Sequence, residues 1–112
     1  MATPSLDARV LERLFAIIAE RRGADPAQSY TARLFAEGRA KIARKTGEEA
    51  IEVIVAAFAG GREELAKESA DLLYHLLVLW ADADLDPDEV WRELARREGV
   101  SGLAEKAARG ET

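Results

Sequence analysis

The chain has 112 residues, 48 % of them hydrophobic and 33 % charged, and its formal net charge is −5 at pH 7. This length predicts a single domain at residues 1–112, with a core of modest size at about residues 8–98 and a tail at 99–112. The acidic charge argues against general nucleic-acid binding, and the absence of cysteine excludes disulfides, zinc–thiolate sites and thiol nucleophiles.

The first seven residues contain no basic segment followed by an apolar run, so they do not resemble a signal peptide. The absence of cysteine also fits a reducing compartment. We therefore expect a cytoplasmic protein that has neither a nucleic acid nor a membrane among its partners.

The hydrophobic pattern predicts an all-α fold with no strand. Gly23 and Asp25-Pro26 end a first amphipathic helix. Its apolar residues recur at three-and-four spacing, and they are Val10, Leu11, Leu14, Phe15, Ile17 and Ile18. A second, short helix is expected at about residues 30–37, where Ser29 can cap its start and Gly38 interrupts it.

A third helix is expected at about residues 39–59 and a fourth at about 62–82, with a break at Gly60-Gly61. Residues 70–81 are apolar almost all round apart from Asp71 and His75, which predicts burial on several sides. A fifth helix begins at Asp86-Pro87-Asp88-Glu89, and a short helical segment is expected at residues 101–109. The apolar stripe of the third helix, which we expect to face the core, consists of Ile51, Ile54, Val55 and Phe58.

Two acidic signatures, Glu48-Glu49-x-x-Glu52 and Glu68-x-x-Asp71, lie on either side of the Gly60-Gly61 break. Five carboxylates brought together repel one another unless a cation lies between them, and oxygen ligands suit hard divalent metals. The alternative is a set of ion pairs on a solvated helix face. An ionised Asp71 within an apolar run needs a partner, and this favours the metal site.

The spacing of these signatures resembles that of the all-α nucleoside triphosphate pyrophosphohydrolases, the MazG-like group. Within this group the chain is most similar to the phosphoribosyl-ATP pyrophosphatase family of histidine biosynthesis. The resemblance covers about residues 8–98, and the segments that carry it are 29–34, 41–53 and 68–76. It implies a small bundle of about five helices that dimerises into a larger bundle, in a form without a fused cyclohydrolase domain.

The resemblance also implies hydrolysis of 1-(5-phosphoribosyl)-ATP to 1-(5-phosphoribosyl)-AMP and pyrophosphate, the second step of L-histidine biosynthesis. Glu48 and Glu49 are the candidates for the general base, and spacing does not choose between them. The magnesium ligands would be Glu48, Glu49, Glu52, Glu68 and Asp71. The candidates for contacts to the substrate are Tyr30, Thr31, Arg33, Lys41 and Lys45, although surface lysines are more often only solvated.

The nearly all-round apolar fourth helix predicts a homodimer through Leu73, Leu77 and Trp80, unless these residues fill the core of one chain. His75 is one turn beyond Asp71 and is a candidate to orient it, although a lone helical histidine is more often a core residue. Two other functions stay open. One is a housecleaning pyrophosphohydrolase acting on canonical or damaged nucleoside triphosphates, and the other is a non-enzymatic helical dimerisation module.

Overall fold

The computed structural model describes residues 4–99 and 102–110, and these residues form six α-helices and no strand. The helices are α1 (Arg9–Glu20), α2 (Tyr30–Glu37), α3 (Arg39–Ala59), α4 (Arg62–Asp82), α5 (Pro87–Arg97) and α6 (Gly102–Ala108). The predicted all-α fold and small helical bundle are confirmed. In the described part of the chain, no helix has the length and apolar character needed to span a membrane.

The helix ends follow from local chemistry. The Ser29 hydroxyl accepts a hydrogen bond from the backbone N–H of Ala32 at 3.1 Å, which caps α2 as predicted. Gly38, between α2 and α3, has φ +98°, a conformation that glycine adopts without a steric penalty. A side chain at Gly60 would place its Cβ 3.1 Å from the Cβ of Glu64 and 3.2 Å from the carbonyl oxygen of Ala56, so glycine fits this turn with the least crowding.

The start of α5 is a capping box. The Asp86 carboxylate accepts from the backbone N–H of Asp88 at 2.9 Å, and the Glu89 carboxylate accepts from the backbone N–H of Asp86 at 3.2 Å. Pro87 takes the first helical position, where its missing N–H costs nothing. The sequence prediction for this helix start is confirmed.

The antiparallel helices α3 and α4 form the central hairpin, with α1 against α4 and α2 against both. The core lies at the end of this hairpin that is far from the Gly60-Gly61 turn. It consists of Ile18, Leu34, Ile42, Leu77, Val78 and Ala81. Between residues 51 and 70, nearer the turn, Ala56 is the single buried residue.

The predicted burial of the α3 stripe is wrong for the single chain. Ile51, Ile54 and Val55 are 60 %, 58 % and 51 % exposed, and Phe58 is 90 % exposed. The reason is that α1 and α2 cover the other end of the hairpin. Asp71 is likewise exposed rather than enclosed in an apolar setting.

The three residues predicted for a dimer interface have different surroundings. Leu77 is 1 % exposed and belongs to the core, so its assignment to an interface is wrong. Trp80 packs edge to face against Trp91 of α5, with ring centroids 5.8 Å apart. Leu73 is 43 % exposed and is the one of the three that stays available on the surface.

Two arginines bind the C-terminal end of α4. Arg22 donates to the carbonyl of Ala81 at 2.9 Å and pairs with Asp84 at 2.7 Å. Arg39 donates to the carboxylate of Asp82 at 2.9 Å and to its carbonyl at 3.0 Å. The last carbonyls of a helix lack intrahelical donors and carry partial negative charge, so guanidinium groups satisfy them well. The end of α4 is thereby joined to the start of α3 and to the segment after α1.

Candidate metal centre

Carboxylates of the two acidic signatures meet across the α3–α4 hairpin. Glu49 of α3 and Glu68 and Asp71 of α4 each offer an oxygen, and these oxygens all lie within 4.8 Å of one another. Glu49 precedes Gly60 by 11 residues and Asp71 follows Gly61 by 10, so the antiparallel hairpin places them at the same level. Glu49 and Glu68 are half-buried and Asp71 is exposed. We call Glu49, Glu68 and Asp71 the carboxylate group.

Crowding of negative charge perturbs this group. The pKa of Glu68 is raised, first because partial burial disfavours its charged form, then through a hydrogen bond with Glu64 and the charges of Asp71, Glu64 and Glu49. None of the ion pairs among the described residues involves the carboxylate group. Three adjacent oxygen donors without a basic partner fit a hard divalent cation, which would offset their repulsion.

The other two predicted ligands lie beside the carboxylate group. Glu48 is exposed and pairs with Lys45 at 3.2 Å and with Arg44 at 3.7 Å. Glu52 lines a recess of about 220 Å³ near the hairpin turn, together with Glu64 and Glu68. The structure therefore brings three of the five predicted ligands together. Glu52 lines the same recess as Glu68, and Glu48 pairs with Lys45 instead.

Glu64 was missed by the sequence reasoning. It helps to raise the pKa of Glu68 and lines the same recess as Glu52. Its position four residues before Glu68, on the same face of α4, is the signal that could have identified it.

Lys45 lies on the α3 side of this region. The Glu48 carboxylate raises the pKa of Lys45 through a hydrogen bond and its charge, and Tyr30 and Glu49 contribute further in the same direction. Lys45 therefore keeps a positive charge in this region, which suits an anionic substrate. In contrast, Lys41 pairs with Glu37 at 3.8 Å, and Arg33 is exposed with no ion pair to another described residue.

Tyr30 and Thr31 connect the first turn of α2 to α4. The Thr31 hydroxyl is hydrogen-bonded to the hydroxyl of Tyr74, a residue that the sequence reasoning did not single out. Burial raises the pKa of that Tyr74 hydroxyl. Tyr30 stacks on Tyr74 with ring centroids 6.5 Å apart, and its hydroxyl lies 3.5 Å from Nε2 of His75. The Tyr30 side chain is half exposed, so it can contact a ligand while Tyr74 and His75 hold it in place.

A cavity larger than the recess at Glu52 lies elsewhere. It has a volume of about 680 Å³ and lies between α1 and the start of α5, where Phe15, Leu85, Pro87 and Trp91 supply apolar walls. None of the predicted site residues lines it. Cavity size therefore does not identify the carboxylate group, which lies on an open face of the hairpin.

Comparison with known proteins gives consistent matches. Residues 11–98 match the family model described as phosphoribosyl-ATP pyrophosphohydrolase. A protein of Paramagnetospirillum magneticum named phosphoribosyl-ATP pyrophosphatase is 60 % identical over 92 % of this chain and 94 % of its own length. Proteins of the same name from Azospirillum brasilense and Rhodospirillum rubrum are 59 % and 58 % identical, over 97 % and 96 % of this chain and 98 % and 92 % of their own lengths.

Proposed function

The chain belongs to the phosphoribosyl-ATP pyrophosphohydrolase family, and from this premise we propose that it cleaves phosphoribosyl-ATP to phosphoribosyl-AMP and pyrophosphate. It is a hydrolase acting on a phosphoric anhydride, at the second step of L-histidine biosynthesis. The observation that carries the proposal is the family match across residues 11–98, which include every residue of the carboxylate group.

We propose Mg²⁺ as the cofactor. Glu49, Glu68 and Asp71 would hold it, with Glu52 next to them, because magnesium prefers carboxylate oxygens together with water and substrate phosphates. When bound, the cation supplies charge neutralisation and Lewis acidity for the departure of pyrophosphate.

Glu48 is the better candidate for the general base. Glu49 lies in the carboxylate group that would hold the cation, whereas the Glu48 carboxylate lies outside it and pairs with Lys45. A phosphate of the substrate would compete with Glu48 for the Lys45 ammonium. Binding of substrate would then release a carboxylate that can accept a proton from the attacking water.

The remaining substrate contacts stay predictions. Lys45 and Tyr30 have the better support, since the charge of Glu49 acts on Lys45 and the Tyr30 hydroxyl contacts His75, one turn beyond Asp71. Thr31 is already bonded to Tyr74, so its contribution would be to hold α2 in place. Arg33 and Lys41 are the candidates for contacts to the phosphates that lie furthest from the cation, because the triphosphate chain is long.

The decisive experiment measures pyrophosphate release from phosphoribosyl-ATP with and without Mg²⁺, in parallel with ATP and the deoxynucleoside triphosphates. We expect metal-dependent turnover of phosphoribosyl-ATP alone. Asp71→Asn should abolish it, while the control Asp88→Asn, an exposed acid on α5, should retain it. Turnover of deoxynucleoside triphosphates instead would indicate a housecleaning enzyme, and no turnover of any substrate would indicate a non-enzymatic module.

We also propose a homodimer, formed through the exposed stripe of α3. Four apolar side chains more than half exposed along one helix face form a patch of the kind that protein partners cover, and a two-fold dimer is the commonest arrangement. Phe58→Glu should shift sedimentation towards the monomer. The control Ile17→Glu, at a 49 % exposed position on α1, should leave the assembly unchanged. Equal behaviour of the two variants would refute this interface.

We also propose a cellular location and a domain arrangement for this protein. A histidine-biosynthesis enzyme of this kind is expected in the cytoplasm, and fractionation of cells with an antibody to the protein would test it. The single-domain arrangement, with a core at about residues 8–98 and a tail at 99–112, would be tested by limited proteolysis.

A further inference from the structure

His75 is the one buried polar or charged residue in the described part of the chain, with 5 % of its surface exposed. Both of its ring nitrogens have neighbours. Nδ1 lies 2.8 Å from the backbone carbonyl of Asp71, and Nε2 lies 3.5 Å from the hydroxyl of Tyr30. The imidazole thus connects the backbone of a predicted metal ligand with a predicted substrate contact.

When the imidazole is neutral, these neighbours fix the direction of both hydrogen bonds. A carbonyl can only accept, so Nδ1 carries the proton and donates to Asp71. In the neutral imidazole Nε2 is then an acceptor, and the Tyr30 hydroxyl must donate to it. The hydroxyl proton of Tyr30 therefore points inward to His75, and its oxygen lone pairs face the other way.

The lone pairs of Tyr30 can receive a donor and cannot bind a phosphate oxygen, since both would be acceptors. A hydroxyl group of the substrate is such a donor, and Tyr30 is half exposed, so a ligand can reach it.

We propose that His75 is a positioning residue for the reaction: by accepting the Tyr30 hydroxyl proton, it makes the Tyr30 oxygen an acceptor for a hydroxyl group of the substrate. This role rests on the proposed function. It assigns Tyr30 to a hydroxyl group of the substrate rather than to the phosphate chain.

The first test is spectroscopic and independent of activity. His75 is the single histidine in the sequence, so its two ring ¹⁵N resonances need no separation from others. At alkaline pH we expect the tautomer protonated at Nδ1, and Tyr30→Phe should move the Nε2 resonance while the tautomer is kept. Protonation at Nε2, or an Nε2 resonance that Tyr30→Phe does not move, would overturn the proposal.

The second test uses two isosteres and reads turnover of phosphoribosyl-ATP. The amide of asparagine occupies the place of Nδ1, whereas that of glutamine reaches the place of Nε2. His75→Asn should therefore lower kcat/KM about fivefold, as expected for one hydrogen bond, and His75→Gln should retain most of the activity. Tyr30→Phe should match His75→Asn, and the two changes combined should cost no more than either alone.

Effects that multiply in the double variant, or equal losses in the asparagine and glutamine variants, would assign His75 to packing alone and overturn the proposal. Thermal melts of each variant separate loss of folding from loss of activity. If His75→Asn does not fold, Tyr30→Phe and the histidine spectrum still decide. Absence of turnover in the wild-type protein would refute the proposed function and the kinetic role, whereas the spectrum alone decides the direction of the hydrogen bonds.

Discussion

Leu73 and Leu77 lie one turn apart on α4, and truncating each to alanine should have very different costs. Leu77 is 1 % exposed, so Leu77→Ala removes three fully buried carbons, worth about 2.4 kcal/mol, and leaves a cavity that brings the loss to about 3–4 kcal/mol. Leu73 is 43 % exposed, so little more than half of the same area is covered. Leu73→Ala should cost at most about 1.4 kcal/mol, and it opens no closed cavity.

Urea unfolding followed by helical circular dichroism measures both free energies of unfolding, and unchanged m values would confirm that the transitions are comparable. The measurements should be made at a concentration where sedimentation shows monomers. Equal losses for the two variants, or a loss below about 1 kcal/mol for Leu77→Ala, would refute the assignment of Leu77 to the core. A cost of Leu73→Ala that grows with protein concentration would place Leu73 in a subunit interface.

The remaining predictions concern charge and capping. Because the pKa of Glu68 is raised above 4.5, ionising it costs the folded state stability as the pH rises from that value, and the cost is complete at neutral pH. Glu68→Gln should therefore raise the metal-free Tm at neutral pH and abolish any increase of Tm by Mg²⁺; a lower metal-free Tm would contradict this. Arg96 and Arg97 lower the pKa of Glu93 from 4.5 to about 2, so its contribution is present above pH 4.5 and is lost towards pH 2. Glu93→Gln should make the fall of Tm across this window shallower, and an unchanged slope would contradict the pairing. Asp86→Ala removes the cap of α5 and should cost about 1 kcal/mol in urea unfolding; no change would show that the cap is dispensable.

The helix boundaries could be predicted because each depends on residues next to it in the chain. Ser29 supplies a cap, Gly38 a positive φ, and Gly60 a turn in which a side chain would be crowded. Asp86 begins a capping box whose every member is within three residues. Such signals are complete in the sequence and need no tertiary partner.

Burial could not be predicted in the same way. Ile51, Ile54, Val55 and Phe58 have the spacing of a covered face, but that pattern does not identify the surface that covers them. Within one chain, α1 and α2 reach only the opposite end of the hairpin. The same limit made Asp71 look enclosed, since an apolar run indicates burial without showing which side of the helix is open.

The grouping of Glu49, Glu68 and Asp71 could be predicted because an antiparallel hairpin with a known turn fixes which residues face each other. Their role as metal ligands stays a prediction. The placement of Glu48 could not be foreseen, since it depends on the rotation of α3 about its axis. That rotation directs the Glu48 carboxylate to Lys45 rather than to α4.

The hairpin of α3 and α4 is closed at both ends, by the chain itself at Gly60-Gly61 and by the bonds of Arg39 to Asp82 at the other. Both helices have 21 residues. One residue inserted before Glu49 in α3 would rotate the carboxylate by about 100° and shift it by about 1.5 Å, while Arg39 still holds the end of α4. Insertions and deletions in these two helices are therefore compatible with the site only as matched pairs. Residues 23–28, between Arg22 and the Ser29 cap of α2, lie outside this constraint and can vary in length.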